Sequence, residues 1–77
     1  MKYILYPAHE STRNVETAIL FPKWISHLTV EESFAGHFPA PISAGFVKWT
    51  QQGVVCYGES SSLKMKSSPS DAEFISL

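Results

Sequence analysis

The sequence predicts a single small α+β domain over residues 1–77, an antiparallel sheet of four to five strands with a short central helix and a C-terminal helix on one face. Three observations predict it. Short runs rich in β-branched and aromatic residues recur along the chain, each ended by proline, glycine or a polar cluster. Two segments, around Thr29–Glu32 and Ser68–Asp71, carry the chemistry of helix starts. The length of 77 residues leaves room for one core and no second domain.

Lys2–Tyr6 reads as the first strand, stopped by Pro7, which cannot donate to a ladder. Ala8–Asn14 is polar and reads as a loop. Val15–Phe21 is the second strand, with Val15, Thr17 and Ile19 on one side. Pro22 suits the first position of a short helix over Pro22–Leu28, where its missing N–H costs nothing. Thr29-Val30-Glu31-Glu32 spells a capping box and predicts a further helical turn or two ending near Gly36. Whether these pieces join as one kinked helix is left open by the pattern. The two prolines of His37–Pro41 call for an extended connection.

Ile42–Thr50 is the third strand, and Gln51-Gln52-Gly53 is the tight turn leading to a fourth, antiparallel strand, Val54–Tyr57. Gly58 marks a bulge or bend, beyond which Ser60–Lys66 continues in strand period, Leu63 and Met65 alternating with Lys64 and Lys66. Ser68-Pro69-Ser70-Asp71 opens a final helix, Pro69–Leu77, that lays Ala72, Ile75 and Phe74 on the sheet. Such a short helix needs packing to hold it.

Composition excludes several classes of function. Six Lys and Arg against seven Asp and Glu leave a net charge of −1, which argues against direct nucleic-acid binding and equally against an acidic DNA mimic. A hydrophobic content of 44% excludes general disorder. The lone Cys56 excludes an internal disulfide framework and suits a reducing cytoplasm. Lys2 and Pro7 enclose too short an apolar run for a secretory signal, and no run approaches the roughly 18–20 residues of a membrane span. The expectation is a cytoplasmic protein with no membrane contact.

The spacing Ser43-Ala44-Gly45-Phe46, Gly53-Val54-Val55-Cys56-Tyr57-Gly58-Glu59-Ser60, Ser62-Leu63 and Ser68-Pro69-Ser70-Asp71-Ala72-Glu73-Phe74-Ile75 resembles a group of very short proteins encoded by phages and prophages. The pattern covers Ser43 to Ile75, about half the chain, and carries no catalytic motif. The resemblance implies a phage context, where small accessory proteins bind and block host enzymes, defence nucleases among them. It carries no functional residues across.

Read on their own, the residues name no chemistry. Gly58-Glu59-Ser60-Ser61-Ser62 begins like a nucleophile elbow but ends on serine, and no histidine follows it. The plainer reading is that the hydroxyls satisfy backbone groups around a bend; a middle reading makes Glu59, Ser60, Ser61 and Ser62 a polar binding surface. His9, His27 and His37 are too widely spaced for a metal site, so no metal and no cofactor is expected. His27 is placed at the end of a short helix, where a cation or donor is favourable. Cys56 in mid-strand reads as a packed small hydrophobe. Phe21, Phe46 and Phe74 are assigned to the core, while Trp24, Trp49 and Tyr57 are candidates for a contact surface, where Trp and Tyr concentrate binding energy. Lys48, Lys64 and Lys66 form either a small basic strip or a solvated strand face.

The reading is therefore a non-enzymatic, phage-type accessory protein. It would bind and sterically inhibit a host macromolecule, a component of bacterial immunity, in the manner of an anti-CRISPR or anti-restriction protein. A sheet edge left open also predicts a homo-oligomer. The alternatives are an oligomeric sponge for a nucleotide signal, drawing on the serines and aromatics, and a phage assembly component.

Overall fold

A computed structural model describes residues 1–75. Four strands, β1 (Lys2–Tyr6), β2 (Thr17–Phe21), β3 (Ser43–Thr50) and β4 (Gly53–Tyr57), form one antiparallel sheet in the order β2-β1-β3-β4. The helix α1 (His27–Phe34) links β2 to β3, so the chain crosses over β1 to reach its far side. A small hairpin, β5 (Glu59–Ser60) with β6 (Met65–Lys66), and a 3-10 helix over Pro69–Phe74 complete the α+β fold.

β1 lies inside the sheet, pairing Ile4 with Ile19 on one side and with Ala44 on the other. Its residues Tyr3, Ile4, Leu5 and Tyr6 are at most 1% exposed, so both faces of this strand are covered. Tyr3 and Leu5 join Val47, Cys56 and Ile75 under the C-terminal segment. Ile4 and Tyr6 join Phe21 and Ala44 under Val30 and Phe34 of α1, with Leu63 and Met65 of the hairpin beside them. The two helical segments, expected on one face, thus sit on opposite faces. Alternation along β1 explains it, because a strand apolar at successive positions needs a cover on each side.

Helix α1 begins later than the sequence suggests. Pro22–Ile25 is a turn, closed by the Ile25 N–H donating to the Pro22 carbonyl (3.1 Å). Ser26 is the cap: its hydroxyl accepts the Thr29 N–H (3.1 Å), and Thr29 falls inside the helix instead of capping it. The two predicted helical pieces are replaced by one. On the α1 side Tyr6 packs against Phe34 and Phe38, which stack on each other at 5.2 Å. Burial and the neighbouring Glu31 carboxylate push the Tyr6 phenol up to about 12.

Other boundaries shift for local reasons. β2 starts at Thr17, leaving Val15 exposed, and the loop before it holds a 3-10 turn, Glu10–Thr12, capped by His9. The predicted strand Ser60–Lys66 is a hairpin instead, because the Ser60 hydroxyl accepts the Leu63 N–H (3.2 Å) and Lys64 turns with φ 56°. The final helix is 3-10 in type and runs Pro69–Phe74, with its predicted end at residues 76–77 outside the described residues. Ala72 and Ile75 reach the core as expected, but Phe74 is exposed and Phe46 only half buried.

A buried polar cluster fastens this C-terminal segment. The Tyr3 hydroxyl donates to the Asp71 carboxylate, which also accepts the Ser68 N–H (3.0 Å). Asp71 is 4% exposed, so each of these bonds replaces water the carboxylate has lost. Burial raises the Tyr3 phenol well above its ordinary range, and Asp71 reinforces it. Burial likewise raises the adjacent Cys56 thiol.

Gly45 makes the passage between faces possible. A Cβ there would lie 2.8 Å from both the Ser67 Cβ and the Tyr57 carbonyl oxygen. Gly45→Ala is therefore expected to destabilise the fold by about 1–3 kcal/mol through overpacking, read as a lowered urea midpoint with unchanged slope. Tyr3→Phe keeps the ring but leaves the buried Asp71 carboxylate with the Ser68 N–H and without the phenol. A loss of about 1–3 kcal/mol in the same assay is expected, and no loss would show that the phenol–carboxylate bond contributes nothing.

Candidate interaction surface

On the face that carries α1, the outer part of the sheet stays open. Register places Phe46 beside Tyr57 and Lys48 beside Val55, all on that face, with Lys2 next to Phe46 on the inner strand. Phe46 and Tyr57 stack at 5.7 Å and 25°. The Lys48 ammonium lies 5.3 Å from the Tyr57 ring centroid, and the Lys2 ammonium 6.0 Å from that of Phe46. Each cation sits where the ring quadrupole attracts it. Tyr57 is 45% exposed and Val55 38%, so the row ends in solvent at an edge strand.

Backbone chemistry frames this patch. Gly58 turns the chain away from the sheet with φ 73°, and a Cβ there would meet the Phe46 ring at 2.9 Å. Glycine at this bend therefore lets Phe46 lie flat beside Tyr57. Lys2 also donates to the Ile25 carbonyl (3.0 Å), tying the turn before α1 to the same end of the sheet.

His27 backs the patch from below. It is buried at the first position of α1, the N-terminal end and not the C-terminal end where a cation is favoured, with its Nε2 2.9 Å from the Gly45 carbonyl oxygen. Its ring meets Phe21 and Phe46 edge-to-face, at 5.3 and 6.0 Å. Burial lowers its pKa; the hydrogen bond to the Gly45 carbonyl opposes that, and the Lys2 charge adds to it. The placement reverses the expectation of a helix-end cation, because an apolar cage disfavours the imidazolium.

The predicted contact residues are not one cluster. Tyr57 belongs to the patch. Trp49 projects from the opposite face, across from Val54, and is 45% exposed. Trp24 stands in the turn before α1 at 83% exposure. Glu59 is exposed opposite Lys66 in the small hairpin, which also carries Lys64. Ser60 is buried, and its hydroxyl is also 3.4 Å from that of Ser62. Ser62 in turn accepts the Leu28 N–H (3.2 Å) of α1, while Ser61 is exposed. Ser62 thus ties the hairpin to the helix, and Ser60 closes the hairpin turn through the Leu63 N–H.

Sequence reasoning missed Phe46, assigned to the core, and Val55 as parts of this surface. It also grouped Lys48 with Lys64 and Lys66. The signal available was alternation on the two strands flanking the Gln51-Gln52 turn, which puts Phe46, Lys48, Val55 and Tyr57 on one face.

Among the described residues, no group of three or more His, Cys, Asp or Glu gathers where a metal could be held, and no helix is long and apolar enough to cross a membrane. Comparison with protein-family models, with curated proteins and with solved structures finds no match. What fold and site define is a small α+β sheet protein with an exposed aromatic and cationic patch at its edge.

The buried His27 sets an acid limit on the fold. Its folded pKa lies below the unfolded value of 6.5, so below that pH the unfolded chain binds a proton the folded chain resists. Stability from this group is present above pH 6.5 and falls as the pH drops toward the folded pKa. Urea midpoints measured from pH 7.5 to 5 should decline for the wild type, and more shallowly for His27→Gln. Equal slopes would remove His27 as the cause.

Proposed function

We propose that this chain is a non-catalytic, phage-type accessory protein that binds a host macromolecule in the bacterial cytoplasm and occludes its working surface. The target class is a component of bacterial immunity, as in anti-CRISPR or anti-restriction inhibition. The observation that carries the binding role is the patch itself: Tyr57, Phe46, Val55 and Lys48 are held in register on a rigid sheet, and Tyr57 and Val55 remain exposed. Preformed aromatic side chains beside a cation lose little entropy on binding, and tyrosine is favoured at the energetic centre of interfaces. The phage and counter-defence parts of the reading rest on the spacing of the C-terminal half.

A host protein fits this surface better than a nucleotide. The sponge reading needs free hydroxyls, and those of Ser60 and Ser62 are engaged by the Leu63 and Leu28 N–H groups. Trp24, largely solvated on its turn, offers a second contact beyond the patch.

The test is capture from host cells with the tagged full chain, followed by affinity measurement on the recovered protein. Tyr57→Ala with Lys48→Glu should weaken binding by at least about 2 kcal/mol, some thirtyfold, while leaving the urea midpoint close to wild type. A host protein that binds the double variant as tightly as the wild type, or the absence of any stable host partner, would refute the reading.

A further inference from the structure

The edge of the sheet beside this patch is the strand β4. Thr50 and Gly53 flank the Gln51–Gln52 turn as a ladder pair, so they exchange both backbone hydrogen bonds, as do Lys48 with Val55 and Phe46 with Tyr57 in alternation. The N–H and C=O groups of Val54 and Cys56 therefore point away from β3. No backbone group among the described residues takes them. Gly53–Tyr57 holds no charged residue and no proline, the devices that normally blunt an edge.

We propose that β4 pairs with β4 of a second copy, antiparallel about a two-fold axis through Val55, to give one sheet with four strands from each copy. Only pairings that match outward-facing residues with outward-facing residues can form bonds, and of these the Val55-centred register uses the whole strand. Val54 then exchanges two hydrogen bonds with Cys56 of the other copy, and the axis repeats them. Side chains agree with this register. On the α1 face Val55 meets its own counterpart, and Tyr57 lies across from Gly53, where an aromatic covers a residue without a side chain. On the other face Val54 meets Cys56, so the core cluster around Tyr3, Leu5 and Val47 continues across the axis toward the half-exposed Trp49. The other edge is a poorer candidate: among the large apolar side chains of β2 only Leu20 is exposed, and Glu16 and Pro22 bracket the strand.

Because the axis stands perpendicular to the sheet, the two Phe46–Tyr57 patches come to lie on the same side. The dimer is thus bivalent toward any partner with repeated or symmetric binding sites. Self-pairing does not depend on which macromolecule the patch binds, and its test needs no partner.

Light scattering on the purified full chain should give twice the 8.6 kDa chain mass at high micromolar concentration, and Val55→Lys should shift it to 8.6 kDa while keeping the thermal midpoint that the wild type shows at dilutions where it, too, is monomeric. Register is read by oxidation: Val55→Cys in a Cys56→Ser background should form a covalent dimer across the axis, whereas Ile19→Cys in that background should not. A wild-type mass of 8.6 kDa at those concentrations, a dimer untouched by Val55→Lys, or cross-linking through Ile19 in place of Val55 overturns the proposal. A monomer that still captures a host protein would leave the binding role standing without the dimer.

Discussion

The burial of β1 on both faces is the constraint from which the rest of this structure follows. A chain of 77 residues has little interior to share, and Tyr3, Ile4, Leu5 and Tyr6 take its centre. Apolar side chains at successive strand positions point to opposite sides, so neither face can be left wet. One is closed by α1 and the β5–β6 hairpin, the other by the segment around Ala72 and Ile75. The chain must therefore pass from one face to the other after β6, and the close approach of Ser67 to Gly45 is where it does so.

Each cover is fastened by polar groups as well as by apolar contact. Asp71 holds the C-terminal segment through the Tyr3 hydroxyl and the Ser68 N–H. The Ser62 hydroxyl holds the hairpin against the first turn of α1, and Lys2 holds the preceding turn through the Ile25 carbonyl. Net contributions of such bonds are about 1 kcal/mol each, yet their loss in a buried setting costs more than their presence gains. The serine-rich segment is explained on these terms: its hydroxyls replace backbone partners where short strands and a helix end leave N–H groups unpaired.

Covering two faces with so little chain leaves the outer sheet incompletely clothed. α1 starts at His27 beside Phe46 and runs to Phe34 beside Tyr6, so the row formed by Phe46 and Tyr57 extends past its cover toward solvent. The exposed patch and the open β4 edge are thus one consequence of size. A binding role and self-pairing are the two ways in which such a surface is ordinarily buried; they share Val55 and Tyr57, while the Phe46 and Lys48 side chains serve the first and the outward backbone groups of Val54 and Cys56 the second.

The strands were legible in the sequence because alternation and terminators act locally: Pro7 ends β1, the Gln51–Gln52 turn joins β3 to β4, and Gly58 bends the chain. Helix existence was legible too, but its start was not, since Ser26 and Thr29 both carry capping chemistry and only the packing of Val30 and Phe34 on the sheet selects between them. Of the candidate contact residues, Tyr57 stands in the patch, while Trp24 and Trp49 lie elsewhere and Ser60 is buried. By itself the sequence determined what each residue does to its neighbours in the chain: the periods, the turns and the caps. Tertiary structure alone decided which face each cover takes, which aromatics stay in water and which histidine is sealed, because those outcomes depend on distant segments competing for the two sides of one strand.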